Sequence, residues 1–96
     1  MVSHEFLLEK DLQTACVRWA RAEGWFARRF KAPGRRSHPD YLFARGGVVV
    51  FVEFKRSGNV PTALQFKEHC DMLAAGLTVV WVDNSDDFKA ILAANQ

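Results

Sequence analysis

Asp40, Glu53 and Lys55 are the residues of this chain whose types and spacing could do chemistry. They bracket the stretch "PDYLFARGGVVVFVEFK", an apolar run that opens on an aspartate and closes on a glutamate and a lysine. Gly46 and Gly47 divide the run, and a Gly-Gly pair supplies the positive φ angles that a two-residue hairpin turn requires. Counting outward from that turn pairs Arg45 with Val48, Phe43 with Val50, Tyr41 with Val52 and Asp40 with Glu53. Directly opposed residues of antiparallel strands carry Cβ atoms about 5 Å apart on one face, so two carboxylates there repel unless a cation compensates them. Strand alternation puts Lys55 on the face of Glu53 and sends Val48, Val50, Val52 and Phe54 to the other.

Two carboxylates, together with the main-chain carbonyl of Phe54, make a partial oxygen site with room for water and phosphate, as Mg²⁺ or Mn²⁺ prefers. A cation there acidifies a water and polarises a phosphoryl oxygen, and Lys55 can position or deprotonate that water. Phosphodiester hydrolysis needs this set of groups. Net charge is only +2, yet "ARRFKAPGRR" concentrates Arg28, Arg29, Lys31, Arg35 and Arg36 without an acid just ahead of Asp40. Such a local patch suits phosphate contacts better than the total charge suggests. Glu-x-Lys alone most often marks a solvated strand end; the combination of Pro39-Asp40 in hairpin register, the basic segment and Gln65 downstream points to catalysis.

The elements that must position these groups follow from pattern. Leu8, Leu12, Ala15, Cys16 and Trp19 recur at helical spacing within residues 5 to 23, and Gly24 ends that helix. "WFARRFK" reads as a strand, "APGRRSHP" as a basic loop, and the hairpin follows. Thr62 and Gln65 have capping-box spacing at the start of a second helix, whose apolar stripe is Ala63, Phe66, Cys70 and Leu73, with Gly76 closing it. "LTVVWV" is then a buried strand, laid parallel to its predecessor by the helical crossover. "SDDFKAILAA" forms a last helix with Ser85 as its cap. The predicted order is α-β-β-β-α-β-α.

Ninety-six residues with 49% hydrophobic content, three Trp and eight Phe suit one globular α/β domain spanning 1–96. No run has the apolar length of a membrane span, and the N-terminal stretch lacks a signal-peptide core, so a cytoplasmic protein is expected. Cys16 and Cys70 fall on apolar helix faces and read as buried thiols rather than a disulfide or zinc pair. His4 and His69 lie on helices without ligand spacing, Tyr41 reads as packing, and His38 as solvent-facing.

Pro39-Asp40, then about a dozen residues, then Glu53-Phe54-Lys55 resembles the signature of the PD-(D/E)xK, or restriction-endonuclease-like, nucleases. Within them the chain resembles a stand-alone virus-type replication-repair nuclease (VRR-NUC) domain. The likeness rests on "EGW" before a basic strand, "GRRSHPD", "VEFK", a helix with a glutamine, and "VWVDN", and it covers nearly the whole chain. The resemblance implies an α-β-β-β-α-β core with a central mixed four-stranded sheet flanked by helices. It implies that Asp40 and Glu53 hold the metal, that Lys55 serves the water, that Glu9 rather than Glu5 completes or water-bridges the metal site, and that Gln65 lies nearby. Gln65 also suits its helix cap alone. The resemblance further implies structure-selective cleavage of DNA, with small stand-alone members acting as homodimers on four-way (Holliday) junctions in a bacterial or phage setting. One active site per chain agrees, since symmetric incision of two strands needs two sites about a two-fold axis. A flap, nicking or RNA nuclease of the same fold, and a catalytically silent nucleic-acid-binding module, are the alternatives. Ser37 and His38 depart from the pattern, standing where related domains often carry a glycine before Pro-Asp.

Overall fold

The computed structural model describes residues 8–34 and 37–95. Arg35 and Arg36 of the basic segment, and His4 and Glu5, lie outside the described residues. The elements are α1 (Glu9–Ala22), β1 (Phe26–Arg29), β2 (Tyr41–Arg45), β3 (Val48–Phe54), α2 (Ala63–Ala74), β4 (Thr78–Val82) and α3 (Ser85–Ala94), in the order the sequence predicts. The strands form one sheet in the order β1-β2-β3-β4. β1, β2 and β3 run antiparallel to their neighbours, and β4 lies parallel to β3 after the α2 crossover. A mixed four-stranded α/β sheet is therefore observed.

The hairpin turn follows the sequence: Gly46 and Gly47 take φ of +58° and +85°, which L side chains adopt only with strain, and Arg45 pairs with Val48. The register then runs through Phe43–Val50 to Tyr41–Val52. Val50, Val52 and Phe54 point to one face and are fully buried there. On that face Phe43, Phe54 and Phe88 pack with ring centroids 5.0 to 6.4 Å apart, separations at which aromatic pairs add about 0.5–1.5 kcal/mol each beyond burial. Leu12, Cys16, Val17 and Ala20 of α1 and Phe88 and Leu92 of α3 close this layer. The buried side of α1 is thus rotated from the predicted stripe: Leu8 is 47% exposed and Ala15 is exposed, while Val17 and Ala20 are inside. Helical periodicity tolerates such a rotation because small residues occupy both edges of the stripe.

The other sheet face is covered by α2, and here the pattern misleads. The stripe Ala63, Phe66, Cys70 and Leu73 faces outward, with Phe66 60% and Leu73 55% exposed, whereas His69 and Met72 are the buried residues of α2. Cys70 is accordingly exposed, correcting its expected burial, while Cys16 is buried and both thiols are free. Burial pushes the Cys16 thiol up to about 12, so it stays protonated and unreactive. α2 carries its predicted capping box: Thr62 Oγ1 accepts from the Gln65 N–H and Gln65 Oε1 accepts from the Thr62 N–H. The cap of α3 is Asn84, one residue before the expected Ser85, accepting from the Asp87 N–H at 2.8 Å. Among the described residues no helix is long and apolar enough to cross a membrane.

Candidate active site

Glu53 lies at the end of β3 on the α2 face and is 2% exposed, deeper than the solvated strand rim its charge suggests. Two side chains approach one of its oxygens. Gln65 Nε2 donates to Glu53 Oε2 at 3.2 Å, and Lys55 Nζ stands 3.9 Å from the same atom. Gln65 thereby serves both readings at once, its carbonyl oxygen capping α2 and its amide nitrogen fixing the carboxylate. Glu53 Oε1 is buried without a hydrogen-bond partner. Nearest to it, at 3.9 Å, is His69 Nε2, which is also buried and unpartnered.

Asp40 reaches this cluster by a route the hairpin count does not give. The ladder ends at Tyr41–Val52, and the Asp40 N–H donates to Val52 O at 3.0 Å, so Asp40 and Tyr41 both address Val52. This one-residue offset is that of a β-bulge, and it replaces the direct Asp40–Glu53 opposition expected from the turn. The Asp40 side chain then bends onto the main chain of β3, where Oδ2 accepts the Phe54 N–H at 2.8 Å. A side-chain carboxylate stands where a strand carbonyl would otherwise continue the ladder. On the opposite side of Asp40, its carbonyl accepts from the Phe30 N–H at 2.9 Å, continuing the pairing with β1. The bulge thus fixes Asp40 from both neighbours.

Charge in the cluster is unbalanced. Burial raises the pKa of Glu53, the adjacent Asp40 raises it further, and Lys55 and His69 offset this only in part. Glu9, the first residue of α1, is raised too, chiefly by burial and then by Asp40, with Lys55 opposing. Asp40 and Lys55 thus lie within electrostatic reach of the exposed Glu9, while Lys55 and Gln65 converge on Glu53 itself. Among the described residues no group of three or more His, Cys, Asp or Glu side chains is placed to hold a metal ion, so any cation would rest on the Asp40 and Glu53 pair. Two carboxylates, one with a buried unpartnered oxygen, form an open site, and Mg²⁺ suits one or two carboxylates completed by water and phosphate. The residues present therefore fit a hard divalent cation.

Among the described basic residues, Arg28 and Arg29 do not share a face. Arg28 lies 4.2 Å over the ring of Phe26, and Arg29 lies 5.2 Å over Tyr41. Being consecutive in β1, they point to opposite faces of the sheet. Lys31 is exposed in the following loop. Tyr41 packs on Phe43 and Phe54, as expected. His38 is half-buried, its ring edge-on to Phe30 and its Nδ1 2.9 Å from Pro39 O. His69 is the site residue that sequence reasoning misses. The available signal is its place one helical turn after Gln65, which puts both on one side of α2.

No family model matches the chain. The chain is similar to a protein named "Putative nuclease p44" of Acyrthosiphon pisum secondary endosymbiont phage 1, 39% identical over 87 residues that cover 90% of this chain and 92% of that one. A solved structure described as a VRR_NUC domain superposes with a TM-score of 0.83 at 26% identity, covering 92% of this chain and 97% of that chain.

Proposed function

Because the chain belongs to the VRR-NUC family of nuclease domains, we propose that it is a Mg²⁺- or Mn²⁺-dependent endonuclease that cuts branched DNA, four-way junctions foremost, as a homodimer. The observation that carries the reading is the convergence of Asp40, Lys55 and Gln65 on a buried Glu53 with an unpartnered oxygen. That oxygen faces His69 Nε2 at 3.9 Å without a hydrogen bond, which supports a place for a cation beside it.

Asp40 and Glu53 would hold the cation with the Phe54 carbonyl, and Glu9 would complete the set through water. What the cation supplies is Lewis acidity at the phosphoryl oxygen and an acidified water. Gln65 keeps Glu53 Oε2 in place, so the carboxylate does not swing toward Lys55. Lys55, only partly exposed, orients the attacking water and offsets negative charge as the phosphorus centre gains a fifth oxygen. Arg28, Arg29, Lys31, Arg35 and Arg36 contact phosphates on either side of the cut, giving affinity that falls with salt and little base preference. The outward Phe66 and Leu73 of α2 support pairing with a second copy, because exposed apolar side chains on one side of a helix are costly to leave in water.

A panel of labelled four-way junction, fork, flap, duplex, single strand and RNA, each with Mg²⁺ or Mn²⁺, tests this. The expected result is paired cuts in the junction, absent from Glu53→Ala. No product on any DNA would remove the nuclease reading; preference for flap or RNA would redirect it. Sedimentation at micromolar concentration decides between one copy and two.

A further inference from the structure

Between α1 and the β1–β2 edge lies a cleft of about 390 Å³, on the opposite face of the sheet from α2. Lys10, Arg18 and Arg21 of α1 line it together with Arg29 of β1, and among the described residues no Asp or Glu does. Lys10, Arg18 and Arg21 are spaced to fall along one side of the helix, over roughly 16 Å of its axis. Polar donors complete the lining: the phenol of Tyr41 and the amide of Gln13, whose Nε2 is buried without a partner.

Helix stability explains Arg21 but not Lys10. Arg21 sits in the last turn, where positive charge complements the helix dipole, and it also donates to Ala27 O at 2.8 Å. Lys10 sits in the first turn, where a cation opposes the dipole. Position relative to the site gives the charges a use. Lys10 follows Glu9 and Tyr41 follows Asp40 in sequence, so the Lys10 and Tyr41 end of the cleft lies toward the sheet end that carries the carboxylates, though on the other face from Glu53.

We infer that this cleft is a second nucleic-acid track, which holds the phosphodiester backbone of the substrate strand as it leaves the scissile phosphate. The inference rests on the nuclease reading for its substrate class and adds a contact surface distinct from the 27–36 basic segment, joined to it only through Arg29. Four like charges around one cleft repel one another when it is empty and are relieved by a polyanion, while the Gln13 amide gains an acceptor. Cations spread over roughly 16 Å of helix suit a strand better than a single small anion.

The test is binding without turnover. Wild type, Lys10→Ala/Arg18→Ala, Lys10→Arg/Arg18→Lys and the remote surface variant Lys67→Ala are titrated against a fluorescent four-way junction in Ca²⁺ over a range of KCl. Loss of two phosphate contacts lowers the slope of log affinity against log salt by about 1.8. That drop is expected for the double alanine variant only, with the charge-conserving pair restoring the wild-type slope and unchanged melting temperatures showing intact folds. A double alanine variant with the wild-type slope overturns the inference, as does wild-type protein that does not bind. Cleavage is scored separately: a slope that depends on Lys10 and Arg18 in a protein that cuts nothing keeps the track and removes the nuclease reading.

Discussion

The two faces of the sheet are built from alternate residues of the same strand and are packed to different ends. Val50, Val52 and Phe54 meet α1 and α3 in a layer with no charged side chain among its buried members. One residue along, Glu53 meets α2 in a layer whose buried helix residues are His69 and Met72 and whose apolar stripe faces outward. Unpartnered nitrogens occur beside the first face too, at Gln13 and Trp25, but only the second face leaves a carboxylate oxygen without a hydrogen bond. Burying Glu53 under α2, beside Gln65 and His69, is what leaves Oε1 without a hydrogen bond.

Breaking the stable face should have the largest effect. Phe54→Ala removes a ring in contact with Phe43, Phe88 and Tyr41, and a loss of about 3–5 kcal/mol is expected in urea melts. On the other face, Lys55→Met should leave the melt close to wild type and lower kcat by about 10²- to 10⁴-fold, measured on whichever DNA the wild type cuts. A stability change as large as that of Phe54→Ala would erase the distinction between the faces. His69→Phe keeps a buried ring but removes Nε2 from beside Glu53 Oε1; calorimetric Mn²⁺ affinity should fall about 10- to 100-fold, with His69→Gln retaining more of it.

The metal-free protein gives a gentler test through pH. Glu53 has a folded pKa above the unfolded value of 4.5, so the native state binds the extra proton and stability is highest below 4.5. Stability is lost as pH rises through the raised pKa. The melting temperature of wild type, relative to Glu53→Gln, should therefore decline across that window, and added Mg²⁺ should restore it. The smallest effect is expected for Phe66→Ser on the exposed stripe, where the stability of the single copy should change by no more than about 0.5 kcal/mol, read in dilute urea melts.

Much of this was legible because local rules fix it. The Gly46–Gly47 turn admits one register, strand alternation separates Glu53 from Phe54, and the Thr62–Gln65 cap starts α2 where it starts. The misreadings share a cause. Periodicity says that Ala63, Phe66, Cys70 and Leu73 line one side of α2, but not which side the sheet takes; the sheet took the side that brings Gln65 and His69 to Glu53. Counting residues outward from a turn likewise cannot foresee the bulge at Asp40, where the carboxylate itself accepts the Phe54 N–H in place of a strand carbonyl.

By itself the sequence determined the order of elements, the hairpin, and the identity of the three charged residues at its ends, since each follows from φ restrictions, side-chain alternation and residue chemistry within a few positions. Only the tertiary structure decided that Glu53 is buried, that Arg28 and Arg29 serve opposite faces, that His69 stands beside the carboxylate, and that Lys10, Arg18 and Arg21 share a cleft with Arg29. Those facts depend on how helices distant in sequence settle onto the two faces of the sheet, and packing across such distances is set by the whole core at once.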